Sequence, residues 1–155
     1  MRKITLICVG TLKETYLINA LQEYIKRISR FFDLEIIQVP ETKLIKNSPS
    51  QIKQVISSEG KSILNKINSQ TVFPLSIDGD QIDSIQFAKL IEKYTDLGEI
   101  TFVIGGSYGL DSSIKRLGKN ISFSKLTFPH QLMRVLFLEQ LYRAATILNN
   151  IEYHK

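Results

Sequence analysis

The sequence predicts an α/β fold, a parallel-type sheet flanked by helices. Three observations predict it. Strand-like and helix-like segments alternate along the whole chain. The strand-like segments are short, apolar and rich in Ile and Val, as strands covered on both faces are. The chain has 155 residues, enough for one domain, 1–155, with one core.

Ile4–Val9 reads as a buried strand ended by Gly10. From Glu14 to Phe31, apolar residues recur at Leu17, Leu21, Tyr24, Ile25 and Ile28, which is helical spacing. Leu34–Val39 is a second strand, stopped by Pro40. The stretch Glu41–Asn47 is a polar loop. Ser48 and Pro49 have the form of a capped helix start, and that helix runs to about Ile67. Val72–Ile77 is the third strand, followed by a turn at Asp78-Gly79-Asp80. Ser84 then caps a helix to about Tyr94. Ile100–Ile104 is the fourth strand and leads into Gly105-Gly106-Ser107-Tyr108-Gly109. Asp111 caps a short helix that ends near Gly118. Ile121–Phe123 is a fifth extended piece, and Pro129 opens the longest helix, to about Asn149.

Ligands of such sheets bind outside the carboxyl ends of the strands. The segments that follow strands are Gly10–Lys13, Pro40–Asn47, Asp78–Asp83, Gly105–Gly109 and Ser124–His130.

Composition narrows the chemistry. The net charge is +5. Residues 1–30 hold six Lys/Arg against two acids and residues 101–155 seven against three, whereas 31–100 hold seven against ten. Basic ends around an acidic middle suggest a face for a polyanion, against the plainer reading of a solvated surface. No apolar run reaches the roughly 20 residues of a membrane helix. The single cysteine, Cys8, excludes an internal disulfide and reads as a buried, inert thiol, in keeping with a cytoplasmic setting. Two histidines and one cysteine provide no thiolate or imidazole cluster for a metal. Asp78-Gly79-Asp80 lacks the glutamate that a calcium loop needs, because the residue eleven after Asp78 is Lys89.

Gly105–Gly109 is neither a dinucleotide fingerprint nor a phosphate-binding P-loop. It can hold an adenine or ribose through main-chain contacts, or it is a tight strand-to-helix turn; the glycines alone do not choose. The last helix is apolar on most sides, which requires a central position or a subunit interface. Its polar residues, Arg134, Glu139, Gln140 and Arg143, then need partners. The tail Tyr153-His154-Lys155 combines a ring, an imidazole and a cation, although a terminus more often frays.

The segments Phe102–Leu110, Ser122–Val135, Leu138–Ala144 and Tyr153–Lys155 together resemble signatures of the large-subunit rRNA pseudouridine N3-methyltransferase family, in the SPOUT class. Ile7–Lys13 fits as well, and the similarity spans the chain. The resemblance implies a C-terminal trefoil knot, which periodicity never suggests. It implies a homodimer packed through the knotted region. It also implies S-adenosylmethionine held by Leu75, Gly105, Gly106 and the run Phe123, Ser124, Lys125, Leu126, Thr127 and Phe128. The implied acceptor is N3 of a pseudouridine in 23S rRNA on the ribosome. His154 is then the candidate base or base-positioning group, and Tyr153 a stacking or hydrogen-bonding group. Arg134, Arg143 and Lys155 are candidate phosphate contacts, and His130 reads as helix N-terminal packing. The chain departs from the family at Asp80, at Asn149-Asn150 and at Glu152. A non-catalytic basic RNA-binding module for ribosome assembly and a small-molecule enzyme binding adenosine are the alternatives.

Overall fold

The computed structural model describes residues 1–155. Its strands are β1 Arg2–Val9, β2 Phe32–Val39, β3 Thr71–Gln81, β4 Ile100–Ile104 and β5 Ile121–Ser122. Its helices are α1 Thr15–Ile28, α2 Pro49–Leu64, α3 Ser84–Thr95, α4 Ser112–Lys115 and α5 His130–Leu148. The strands form one sheet in the order β2-β1-β4-β3-β5, and all pairings are parallel.

Side-chain alternation along the central strands builds two cores. Ile4, Leu6 and Cys8 of β1 and Ile100, Phe102 and Ile104 of β4 face α1, α3 and α5. Ile7, Val9 and Val103 face the other way, toward α2 and α4 through Ile63 and Ile114. Phe73, Phe87, Phe102, Phe123 and Phe137 interlock in the larger core, with Phe102 and Phe137 centroids 4.9 Å apart. Phe137 is fully buried, so Phe137→Ala would cost about 3–5 kcal/mol.

Four expected boundaries move, each for a local reason. Helix α1 stops at Ile28, Phe31 N–H closes a turn on the Ile28 carbonyl at 2.8 Å, and buried Phe32 opens β2 opposite Arg2. Helix α2 ends at Leu64 instead of near Ile67. The cap of α3 is Asp83, not Ser84: its carboxylate accepts from Gln86 N–H at 2.8 Å while the Gln86 side chain accepts from Asp83 N–H, a reciprocal capping box. Asp78-Gly79-Asp80 is no turn but the end of β3. Asp80 N–H donates to the Asn120 carbonyl at 2.9 Å, and Gly79 lies so close that a Cβ would meet the Asn120 backbone at 2.7 Å. The register with β5 is irregular there: Ile121 faces both Leu75 and Asp80. The chain therefore bulges out between Leu75 and Asp80 and rejoins β5 at Asp80 and Gln81.

Helix α5 packs between α1 and α3 with Phe137, Leu138, Leu141, Ala144 and Ala145 buried. It ends in a Schellman turn. Asn150 adopts φ 54°, Asn150 N–H donates to Ile147 at 3.3 Å, and Ile151 N–H donates to Thr146 at 2.9 Å. Asparagine is the commonest substitute for glycine in that left-handed position, so the departure at Asn149-Asn150 keeps the turn.

Candidate active site

The strand ends surround a cavity of about 870 Å³. Leu75 to Asp78 of β3, Ile104 to Leu110 after β4, and the run from Ile121 past β5 to His130 and Met133 line it. Leu75, Gly105, Gly106, Phe123, Ser124, Leu126, Thr127 and Phe128 all stand on its wall. Lys125 does not: it is exposed between cavity-lining Ser124 and Leu126.

The glycine loop is shaped by its own backbone. A Cβ on Gly105 would meet the Gly109 carbonyl group at 2.8 Å. Gly109 sits at φ +86° and its N–H donates to the Gly106 carbonyl at 3.1 Å. The turn is tight, and its main chain walls the cavity. Behind it lies a buried carboxylate. A Cβ on Gly106 would come within 3.1 Å of Glu59 Oε1, and Glu59 accepts from Thr42 N–H at 3.1 Å. Burial pushes the Glu59 carboxyl up, partly offset by the Thr42 hydrogen bond.

Polar groups line the mouth. The Ser76 hydroxyl donates to Asp78, and Lys115 pairs with Asp78 at 3.6 Å. These bonds hold the Asp78 carboxyl below its ordinary range, the Ser76 bond most strongly. Asp78, Lys115 and Ser107 were not foreseen as site residues. The strand-end rule flagged the segments of Asp78 and Ser107, but Lys115 on α4 had no signal.

Arg134 departs from expectation. It is 0% exposed and cannot hold an RNA phosphate. Its Nη2 donates to the carbonyls of Val9 and Gly10 at 2.5 and 2.7 Å, which ties α5 to the end of β1. Its Nε and Nη1 have no partner, nor has Nε2 of His130 one turn earlier. His130 is the first residue of α5 and also lines the cavity. Burial holds its imidazole below the ordinary histidine value; Glu41 opposes that shift and Arg134 adds to it.

The tail does not fray. Tyr153 packs edge-on against Tyr142 at 4.9 Å and its hydroxyl donates to Glu139 Oε2 at 3.0 Å. Burial and the Glu139 bond push the Tyr153 phenol up to about 12, so it stays protonated at neutral pH. Arg143 grips Glu139 through Nε and Nη2, both at 3.1 Å, and lies over the Tyr153 ring at 4.8 Å. Its Nη1 donates to His154 Nδ1 at 3.1 Å. With each of its three nitrogens engaged, Arg143 organises the tail. Lys155 is exposed and forms no ion pair.

The tail packs on α5 beyond the cavity: Glu139, which holds Tyr153, lies six residues past cavity-lining Met133. His130 and Arg143 are thirteen residues apart on α5, roughly 20 Å along the axis. No group of three His, Cys, Asp or Glu side chains gathers in a metal-binding arrangement. No helix is long and apolar enough to cross a membrane.

Comparison with known proteins agrees with this architecture. The model described as "Predicted SPOUT methyltransferase" matches residues 2–154. A protein of Enterococcus faecalis named ribosomal RNA large subunit methyltransferase H is 48% identical, covering 99% of each chain. One of Clostridium perfringens, named ribosomal RNA large subunit methyltransferase H 1, is 49% identical over 98% of this chain and 99% of its own. Among solved structures, a probable methyltransferase of Bordetella pertussis shares the fold at 15% identity, with TM-score 0.51 over 93% of this chain and 94% of its own. With its parallel sheet, its cavity at the strand ends and a family match over nearly its whole length, the chain belongs to the SPOUT methyltransferase family.

Proposed function

We propose that this chain methylates N3 of a pseudouridine in 23S rRNA, acting as a homodimer on the ribosome in the cytoplasm, with S-adenosylmethionine as methyl donor. The observation that carries the reading is the cavity. Eight of the nine residues assigned to the cofactor from motifs line one space of about 870 Å³, large enough for a nucleoside-sized ligand. The names of relatives at 48% and 49% identity support ribosomal RNA as substrate.

The donor, when bound, supplies an electrophilic methyl group on a sulfonium sulfur. The chain supplies position and field. The apolar walls, Leu75, Leu110 and Phe123, exclude water. The main chain of Gly105 to Gly109 offers polar groups without side chains in the way. Tyr153 presents a ring at which a base can stack. His154 keeps its Nδ1 lone pair against Arg143 and therefore carries its proton on Nε2, as a donor to the incoming base.

Two observations support the homodimer. Arg143, which holds His154, stands roughly 20 Å along α5 from cavity-lining His130, a gap that the tail of a second copy would close. Helix α5 also leaves Leu132, Val135 and Leu136 only half-buried in the single chain. Two α5 helices packed about a two-fold axis would cover them and bring each tail to the other's cavity. The trefoil knot belongs to the same proposal, with the segment between β5 and α5 as the threaded part. The chain just before β5 is set hard against β3, Asn120 on Gly79 and Gly118 on Val72, as a tightly wound C-terminal half requires.

Mass spectrometry of 23S rRNA from a strain lacking the gene tests the reaction. The methyl group on one pseudouridine should vanish and return with the wild-type gene. An unchanged modification would leave the non-catalytic assembly module as the better reading. Sedimentation at micromolar concentration tests the dimer: Leu136→Glu should give monomers that still bind the donor and do not transfer methyl. A fully active wild-type monomer would refute the shared site.

A further inference from the structure

Four lysines stand on loops that follow strand ends, and none has an acidic partner. Lys13 follows β1, Lys43 and Lys46 follow β2, and Lys125 follows β5; all are exposed. Lys3, Lys115 and Lys119, by contrast, each pair with a carboxylate.

Three contacts tie these loops to the elements that line the cavity. Gly10 and Glu41 are neighbours, since a Cβ on Gly10 would meet Glu41 Oε2 at 3.4 Å. Arg134 ties Gly10 to α5, whose first residue lines the cavity. Lys125 sits between two lining residues.

The loop that carries Lys43 and Lys46 is anchored from beneath. Thr42 N–H donates to Glu59 Oε2 at 3.1 Å, and the Thr42 hydroxyl donates to Ser58 Oγ at 3.2 Å. Lys46 N–H donates to Gln51 Oε1 at 2.7 Å. Three side chains of α2 therefore take up the loop's polar groups, and both lysine side chains are left to solvent. A backbone already held loses less freedom when its side chains bind.

We propose that Lys13, Lys43, Lys46 and Lys125 form a track for the phosphodiester backbone of the RNA whose base enters the cavity. The proposal rests on the rRNA-methyltransferase reading and adds the surface by which the substrate is gripped. It also accounts for Lys125, the one of the nine cofactor candidates that does not line the cavity. Ammonium groups on short loops suit phosphates as point charges and carry no base preference.

The test compares Lys43→Ala/Lys46→Ala with Lys61→Ala/Lys66→Ala, an equal loss of exposed charge at the far end of α2. Binding of the full-length protein to purified ribosomes is measured across a salt series. The loop pair should weaken binding on the order of tenfold and flatten the slope of log affinity against log salt by about 1.4 to 1.8. Calorimetry should show donor affinity retained, and the control pair should bind as wild type. Unchanged affinity and slope for the loop pair, beside an active wild type, overturn the track. An equal loss in the control pair overturns it too, because net charge then explains the effect. A wild type that binds no ribosomes overturns the reading beneath the proposal and the proposal with it.

Discussion

Arg143 donates an N–H to Nδ1 of His154 at 3.1 Å, and this bond decides which imidazole nitrogen faces away from the helix. Arginine has no acceptor, so Nδ1 carries the lone pair and the ring proton sits on Nε2. Glu139 holds the same guanidinium from its other side at 3.1 Å. The tail is thus a chain of four groups, Glu139, Arg143, Tyr153 and His154.

Arg143→Lys therefore separates organisation from phosphate binding. Lysine keeps the charge and loses the planar fork. Single-turnover methyl transfer should fall roughly a hundredfold through misplacement of the tail. The salt dependence of ribosome binding should stay as in wild type. Full activity in the lysine variant would return Arg143 to a simple charge role.

Deleting residues 153–155 removes the ring and imidazole but no cavity residue. Folding and donor affinity should be nearly intact, while methyl transfer is abolished. Stopped single-turnover assays with excess enzyme would read this directly. Wild-type rates for the truncated chain would move the search for the acceptor-facing group to His130.

Gly105→Ala should act through the loop. Its Cβ would meet the Gly109 backbone at 2.8 Å, so one side of the turn must shift. The expected cost is about 1–3 kcal/mol of stability, as for overpacking elsewhere. Donor affinity should drop with it. Thermal unfolding and calorimetry on the same sample check both, and an unshifted melting point with wild-type affinity would show that the turn is not under constraint.

His130 sets a pH dependence with a definite sign. Its folded-state pKa lies below the ordinary 6.5, first because of burial. The unfolded chain then binds the proton more tightly. Stability is fully present above pH 6.5 and is lost as pH falls below it, until the folded imidazole protonates as well. His130→Gln should flatten that part of the curve. Denaturant titrations of both proteins between pH 7.5 and 4.5, taken as roughly one to two units either side of the group's ordinary range, would show it.

The sequence alone determined the fold class and where to look. Alternating apolar strands and helical spacing need only local chemistry, so β1, β4 and α5 were legible from Ile4–Val9, Ile100–Ile104 and the run after Pro129. The strand-end rule then located the cavity in three of the five segments it named. Tertiary structure decided the rest, because the environment of a polar side chain depends on what packs against it. Arg134 and Arg143 look alike in sequence, yet one is sealed against the end of β1 and the other orders the tail. Asp78-Gly79-Asp80 has turn composition, and pairing with Asn120 and Ile121 of a distant segment makes it the bulged end of a strand. Lys125 and Leu126 are chain neighbours, but only Leu126 faces the cavity. A motif names the segment; the backbone direction at each residue, set by contacts far along the chain, chooses which side chains the segment offers to a ligand.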